Sequence, residues 1–418
     1  MPDLLNVDRA LATILATIQP LASELIPLEN ALGRTLAEAV TSNVNLPPFP
    51  NSSMDGFAVQ SADTLNASAD KGVALRLVAD IPAGTASAVV LRQGEAARIM
   101  TGAPLPDGAD AVIPVESTDA KWTPGSDTAL PPSVTIHRSL KGGDYVRKAG
   151  EDIRSGETLV KAGTKLRAAE LGILAAIGQA AVKVYRQPHV AIISTGDELI
   201  EVSTELTPGK IRDSNSYTIA ALVTEHGGIP IKIPTARDTL EDVRQRFREA
   251  LDQQPDLIIS SAGVSVGAFD VVRTIIDEMG HVDFWKINLR PGKPLAYGQV
   301  GGVPFFGLPG NPVSAMVTFD VFVRPTLLKL AHQKDDAKHI EAATSEDIDS
   351  DGRRSYIRVN LKREQNQWVA RTTGTQSSGA LSSMMLADGL LIIPEDVTFL
   401  PAGSISPIRL LRPLEEIG

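Results

Sequence analysis

The feature that most constrains this chain is the alternation of apolar strands with amphipathic helices over residues 187–330. HVAIIS (189–194), IPIKI (229–233), DLIIS (256–260), HVDFWKI (281–287) and VPFFGL (303–308) have the length and β-branched content of buried strands. The stretches opening near Ser214, Thr239, Asp270 and Asn311 carry apolar residues at helical spacing. Alternation of this kind builds a parallel-rich sheet with helices on its faces and right-handed crossovers. Ligands of such sheets bind beyond the carboxyl ends of the strands.

Three loops leave those ends, and all are rich in Gly, Ser and Asp. They are STGDEL (Ser194, Thr195, Gly196, Asp197, Glu198), SSAGVSVGAFD (Ser260, Ser261, Gly263, Ser265, Gly267, Asp270) and GLPGNPVSA (Pro309, Gly310, Asn311, Pro312, Ser314). Backbone N–H groups freed by glycine, together with helix N-termini, suit phosphate. One such loop is an ordinary tight βα turn; three on one sheet favour a phosphate-bearing ligand. No GxxxxGK[ST] and no GxGxxG after the first strand occur, which argues against a P-loop nucleotidase and a dinucleotide oxidoreductase. Glu198, Asp270 and Asp238 (in PTARDTL) offer oxygen ligands for Mg²⁺ shared with phosphates, although Asp238 equally suits a helix N-terminal charge. In WKINLRPGKP, Lys286, Arg290 and Lys293 cluster around Pro291 and Pro294, a rigid basic turn suited to a tetrahedral oxyanion; a solvated turn is the plainer alternative.

At 418 residues the chain exceeds a single core and needs several domains. Residues 1–40 read as two helices, one closed by Pro20 and one opened by Pro27. After the irregular NVNLPPFPNSSMDG loop, short runs such as VALRLVAD, SAVVLRQG, ARIMTG, ADAVIPVE and SVTIHRS form a β-rich unit, and a helix returns at 167–178. The expected division is 1–26 with 151–186 as a discontinuous, elongated helical domain, 27–150 as an inserted β domain, 187–330 as a three-layer α/β domain, and 331–418 as an all-β barrel built from SYIRVNL, QWVARTTG, GLLIIPED and SISPIRLL. The fold class is therefore multidomain α/β plus β.

Composition removes several function classes. There is no cysteine, so thiolate catalysis and Cys-ligated metal are excluded. Net charge is −10, which disfavours nucleic acid and anionic membrane surfaces while leaving room for a locally basic pocket. No stretch approaches the ~20 apolar residues of a membrane span. The N-terminus reads as an amphipathic helix rather than a signal peptide, so a cytoplasmic location is expected.

The segments NSSMDGFAV, RIMTGAPLPDGADAVIPVE, AGEDI, ISTGDEL, GKIRDSNSY, SAGVSVGAFD, INLRPGKPLAYG and FGLPGNPVSAMVTF, in this order, resemble the molybdopterin molybdenumtransferase family, which includes the C-terminal catalytic part of gephyrin. The resemblance implies a four-domain homodimer that inserts molybdate into adenylylated molybdopterin, with Mg²⁺-assisted release of AMP. It implies catalytic positions at Asp55, Thr101, Glu198, Asp238, Asp270 and Lys286, with Glu198, Asp238 and Asp270 on the metal side and Asp152 at a further acidic position. The pterin and phosphate loops would be Ser194–Glu198, Gly263–Asp270 (with Ser265 and Gly267) and Pro309–Ser314. The molybdate pocket would use Arg290, Lys293, Ser314, Arg353 and Ser378, with Arg354 and Ser377 as neighbouring alternatives. A molybdopterin adenylyltransferase is a possible partner. Two other functions remain open at this point: that adenylyltransferase activity itself, and a non-catalytic scaffold like the receptor-binding role of gephyrin-like chains. Molybdate and tungstate are not distinguished.

Overall fold

The computed structural model describes residues 4–86, 88–121, 129–261, 269–335 and 337–417. Helix α1 (Val7–Thr17) falls within the first expected helical stretch, and the Asn6 side chain caps it by accepting from the Asp8 and Arg9 backbone N–H groups at 3.0 and 3.1 Å, a cap worth about 1 kcal/mol. The second helix expected from Pro27 does not form. Only a single 3₁₀ turn, Leu28–Asn30, is present, and Gly33 then takes φ +75° while Leu32 stays 65% exposed. Its leucines therefore share no buried face, and the left-handed glycine ends any helical run.

The chain divides into two compact units. The β-rich unit comprises Ile26–Leu32 and Glu38–Val182. Its main sheet contains β1 (Gly56–Val59), β2 (Val73–Ile81), β3 (Glu95–Ile99), β4 (Ala111–Pro114) and β5 (Ser133–Ile136) in the order β4-β1-β3-β2-β5. Phe57, Val59, Leu75, Ile113 and Ile136 form its core on one face. The expected strand SAVVLRQG is absent among the described residues: Ser87 lies outside them, and the remainder makes only the bridge Val90↔Asp107. Helix α2 (Ala168–Ala176) falls inside the expected segment.

The other unit comprises Met1–Leu25, Gly33–Ala37 and Lys183–Gly418. Its six-stranded sheet has β6 (His189–Ser194), β7 (Ile229–Lys232), β8 (Leu257–Ser261), β9 (Gly280–Lys286), β10 (Pro294–Val300) and β11 (Val303–Leu308), ordered β7-β6-β8-β11-β10-β9. The first four are mutually parallel, whereas β10 runs antiparallel to both β11 and β9. Because β10 reverses direction twice, β9 ends at the same edge as β6, β8 and β11. Helices α3 (Asn215–Glu225), α4 (Leu240–Asp252), α5 (Phe269–Met279) and α6 (Pro312–Thr318) follow their strands, and α6 runs through a π turn into α7 (Arg324–Leu330). Helix α1 buries Val7, Ala10 and Ile14 in this core with Ile192, Leu257 and Phe306. Contacts thus group Met1–Leu25 with Lys183–Gly418 rather than with residues 151–182. An apolar stripe announces that a helix is covered, and not by what.

The last segment closes a five-stranded barrel from β12 (His339–Thr344), β13 (Arg354–Glu364), β14 (Gln367–Thr372), β15 (Gly389–Ile393) and β16 (Ile405–Leu410), sealed by the β13–β15 pairing. Helix α8 (Leu381–Leu386) lies against β13 and α6. The short strand Leu289–Arg290 pairs with Arg354–Ser355 of β13, which joins the basic turn of the α/β part to the barrel.

Candidate active site

At the carboxyl edge of the sheet, β6 ends in Ser194 and Thr195. Both are buried, and both hydroxyl oxygens lack a hydrogen-bond partner. Gly196 follows with φ +148°, and a Cβ there would lie 2.7 Å from Glu198 Oε2. The Glu198 carboxylate therefore folds back over the glycine at the strand end. Asp197 and Asp238 brace each other: the Asp197 N–H donates to Asp238 Oδ2 at 3.3 Å and the Asp238 N–H donates to Asp197 Oδ1 at 3.2 Å. Asp238 Oδ1 is left buried and without a partner, an acceptor that a donor or cation would satisfy.

The β8 end presents buried Ser260 and Ser261. Gly263, Ser265 and Gly267 lie outside the described residues. Asp270 falls in the first turn of α5, and its side chain also lies outside what is described. From β11 the chain passes through Pro309, Gly310 and Asn311 into α6, with Pro312 as its first helical residue. Asn215 at the start of α3 ties the second and third loops together, its Nδ2 donating to Ser261 Oγ and to the Gly310 carbonyl, both at 2.8 Å. Sequence reasoning gave Asn215 no role. Only its place in GKIRDSNSY could have drawn attention to it.

Beside these loops lies a cavity of about 310 Å³, lined by Arg290, Lys293, Ser314, Arg353 and Ser378 among others. All five residues assigned to an oxyanion by resemblance therefore meet in one pocket. Its walls come from the basic turn, α6 and the barrel. Gly292, with φ +115°, presses the turn onto α6 so closely that a Cβ would sit 2.5 Å from Thr318 Oγ1. On the barrel side, Ser378 Oγ accepts from Asn311 Nδ2 at 3.0 Å and the Ser378 carbonyl accepts from the Val313 N–H at 3.1 Å.

Of the two alternatives, Arg354 is engaged elsewhere. It pairs with Asp8 at 2.7 Å and Glu395 at 2.9 Å, which holds its pKa above the ordinary guanidinium value and clamps α1 to the barrel. Ser377 gives its carbonyl rather than its side chain, to Arg358 Nη2 at 3.2 Å. Lys286 ends β9, exposed, at the same edge but outside the pocket lining.

Sequence reasoning missed Arg358, which also lines the pocket. It is only 1% exposed. Its Nε donates to Ser383 Oγ at 3.2 Å, and among the described residues no carboxylate pairs with it. Burial, with the charge of Arg290 as a second cause, pulls its pKa down to about 10, so it remains a cation at neutral pH. A buried guanidinium without a counter-ion is costly unless an anion completes it.

In the β-rich unit, Asp55 and Thr101 touch directly. Asp55 Oδ1 accepts from the Thr101 N–H at 2.8 Å and from its hydroxyl at 3.0 Å. Asp152 lines a separate cavity of about 480 Å³ with Asn51 and Arg147.

Family models match nearly the whole chain: the MoeA N-terminal region (domain I and II) over residues 5–178, the probable molybdopterin binding domain over 191–329, and the MoeA C-terminal region (domain IV) over 341–410. Molybdopterin molybdenumtransferase 2 of Mycobacterium tuberculosis is 38% identical over 408 residues, covering 95% of this chain and 96% of its own. The molybdopterin molybdenumtransferase of Bacillus subtilis is 33% identical over 415 residues, covering 99% and 95%. Among solved structures, a molybdopterin biosynthesis MoeA protein from Pyrococcus horikoshii superposes with a TM-score of 0.82 at 33% identity, covering 98% of this chain and 100% of that one. With matches across both units and the site edge, the chain belongs to the MoeA family of molybdopterin molybdenumtransferases.

Proposed function

We propose that this chain is a molybdopterin molybdenumtransferase that docks molybdate in the basic pocket beside an adenylylated molybdopterin held along the strand-end loops, with AMP as the leaving product. The observation that supports this reading is the pocket itself. Four cations (Arg290, Lys293, Arg353 and Arg358) and the hydroxyls Ser314 and Ser378 line one small cavity, next to a sheet edge carrying unpartnered buried hydroxyls. Molybdate is a tetrahedral dianion approaching an already anionic substrate, and fixed cations offset that repulsion. The buried hydroxyls of Ser194 and Thr195 can donate to phosphate or pterin oxygens. Asp55, Thr101, Asp270 and Lys286 belong to this reading as catalytic positions.

Among the described residues, no three acidic or histidine side chains gather to hold a metal by themselves. Glu198 and the unpartnered Oδ1 of Asp238 fit the remaining case, two protein oxygens completing a Mg²⁺ that a phosphate largely holds. Such an ion would offset charge on the phosphoanhydride. Glu198 and Asp238 would hold it, while the Asp197–Asp238 brace fixes one carboxylate in place.

The four-domain division, a homodimer, a cytoplasmic location and an adenylyltransferase partner complete the proposal. Among the described residues no helix is long and apolar enough to cross a membrane. The test is to incubate purified protein with adenylylated molybdopterin, Mg²⁺ and molybdate, and to follow AMP. AMP release that depends on molybdate is expected. Adenylyl transfer from ATP to molybdopterin instead would point to the sister activity, and neither reaction would leave a scaffold.

A further inference from the structure

We infer that the basic pocket accepts only fully deprotonated tetrahedral dianions and discriminates against hydrogen phosphate. The inference rests on reading this pocket as the oxyanion site. Molybdate, tungstate and sulfate carry no proton at neutral pH and need only donors around them. Phosphate keeps at least one P–OH, which needs an acceptor.

Among the described residues the pocket offers donors almost alone. Its charged members are the four cations, and no carboxylate lines it. The polar acceptors are already used. Gln376 Oε1 accepts from the Arg358 N–H at 3.0 Å, and Ser378 Oγ accepts from Asn311 Nδ2 at 3.0 Å. Among the lining side chains, that leaves the neutral hydroxyls of Ser314 and Tyr356 as weak remaining acceptors.

A carboxylate beside the pocket is Asp351, and among the described residues its hydrogen-bond partner is Arg353 alone. Its Oδ1 accepts from the Arg353 N–H at 3.2 Å, and its Oδ2 accepts from Arg353 Nε at 3.0 Å and from Nη2 at 2.5 Å. Arg353 is itself anchored, with Nη1 donating to the Leu289 carbonyl of the basic turn at 3.1 Å. Arg353 thus keeps the carboxylate turned to itself and leaves the pocket without an anionic acceptor. A P–OH placed there would meet cations or remain unpaired, which is how a site rejects a near-isostere.

The experiment is calorimetric titration of the full chain with molybdate at neutral pH, alone and against increasing sulfate or phosphate. Sulfate is expected to displace molybdate at least tenfold more effectively than phosphate, the loss expected for one unsatisfied donor. Arg353→Met, checked for folding by thermal melt, frees Asp351 as an acceptor and should narrow that ratio several-fold. Equal competition by phosphate and sulfate in the wild-type protein would overturn the inference, even if Arg353→Met does not fold. Should molybdate fail to bind, or bind equally well to Arg358→Met, the oxyanion reading of the pocket fails first and takes this inference with it.

Discussion

Arg358 shows what a single residue can reveal. A buried cation without a counter-ion destabilises a fold, and its pKa, pulled down to about 10, records that cost. A residue kept at such a cost in a pocket is a candidate for binding an anion. Arg358→Met should therefore leave thermal stability unchanged or improved, while the half-saturating molybdate concentration in AMP release rises roughly tenfold to a hundredfold, the 1.5–3 kcal/mol of a charged hydrogen bond. Arg358→Lys, which keeps the charge but not the fork, should recover part of the loss. A purely structural Arg358 would give the reverse pattern, with lost stability and unchanged molybdate dependence. The sequence hid this residue for a physical reason. In SYIRVNL a charge alternating with apolar positions reads as solvent-facing, yet residues 355–359 of β13 are buried on both faces. Helix α8 lies on that strand, and its Ser383 receives the Arg358 Nε–H. The short, Met-rich α8 carries little periodic signal of its own. Arg353 and Ser378, by contrast, lie beyond the matching motifs, and the resemblance points to them only alongside their neighbours Arg354 and Ser377.

At the scale of elements, the parallel strands and their helices were legible because burial on both faces writes continuous apolar runs. The antiparallel β10 was not. Its segment opens on Pro294, three residues after Pro291, and contains Gly298, where a Cβ would lie 2.1 Å from the His281 carbonyl oxygen of β9. A strand that requires glycine for close approach loses the β-branched signature by which strands are found. Charge networks between elements are equally silent in sequence. Arg324 of α7 is 3% exposed and sits between Asp320 of the π turn and Asp335 of the linker to the barrel, with Asp335 at 2.6 and 2.7 Å. The Arg324 hydrogen bonds hold the Asp335 carboxyl down to about 2. A folded-state value below the unfolded one contributes stability that is complete above about pH 4 and is lost as pH falls toward 2. The Asp335 side chain is half exposed, so solvent screening limits the effect to about 1 kcal/mol or less. Asp335→Asn should cost that much in urea unfolding at pH 7 and about half as much at pH 3. An equal cost at both values would mean that packing, not charge, holds the linker.

The whole molecule contains two units with separate cores: Phe57, Val59, Ile113 and their neighbours in one, and the sheet-and-helix core with the barrel core in the other. Units with their own cores can unfold as separate cooperative transitions. The basic pocket draws Arg290, Ser314, Arg353, Arg358 and Ser378 entirely from the unit comprising Met1–Leu25, Gly33–Ala37 and Lys183–Gly418. A ligand stabilises only the folded state that binds it, by about 2.7 kcal/mol at a hundredfold excess over Kd. For a unit of this size that should raise Tm by about 5 °C or more. Molybdate should therefore move one transition and leave the other in place. Tryptophan fluorescence can assign them. Of the chain's three tryptophans, Trp285 and Trp368 belong to the pocket-bearing unit, so a Trp122→Phe background reports on that unit alone. In this background, molybdate at a hundredfold excess over the wild-type Kd should raise the fluorescence-detected Tm, and Arg358→Met should cut the rise to about half or less. A calorimetric scan of the same samples should show the second transition unmoved. If molybdate shifted both transitions together, the units would not be thermodynamically separate. If the full shift persisted in Arg358→Met, the anion would be binding outside the pocket.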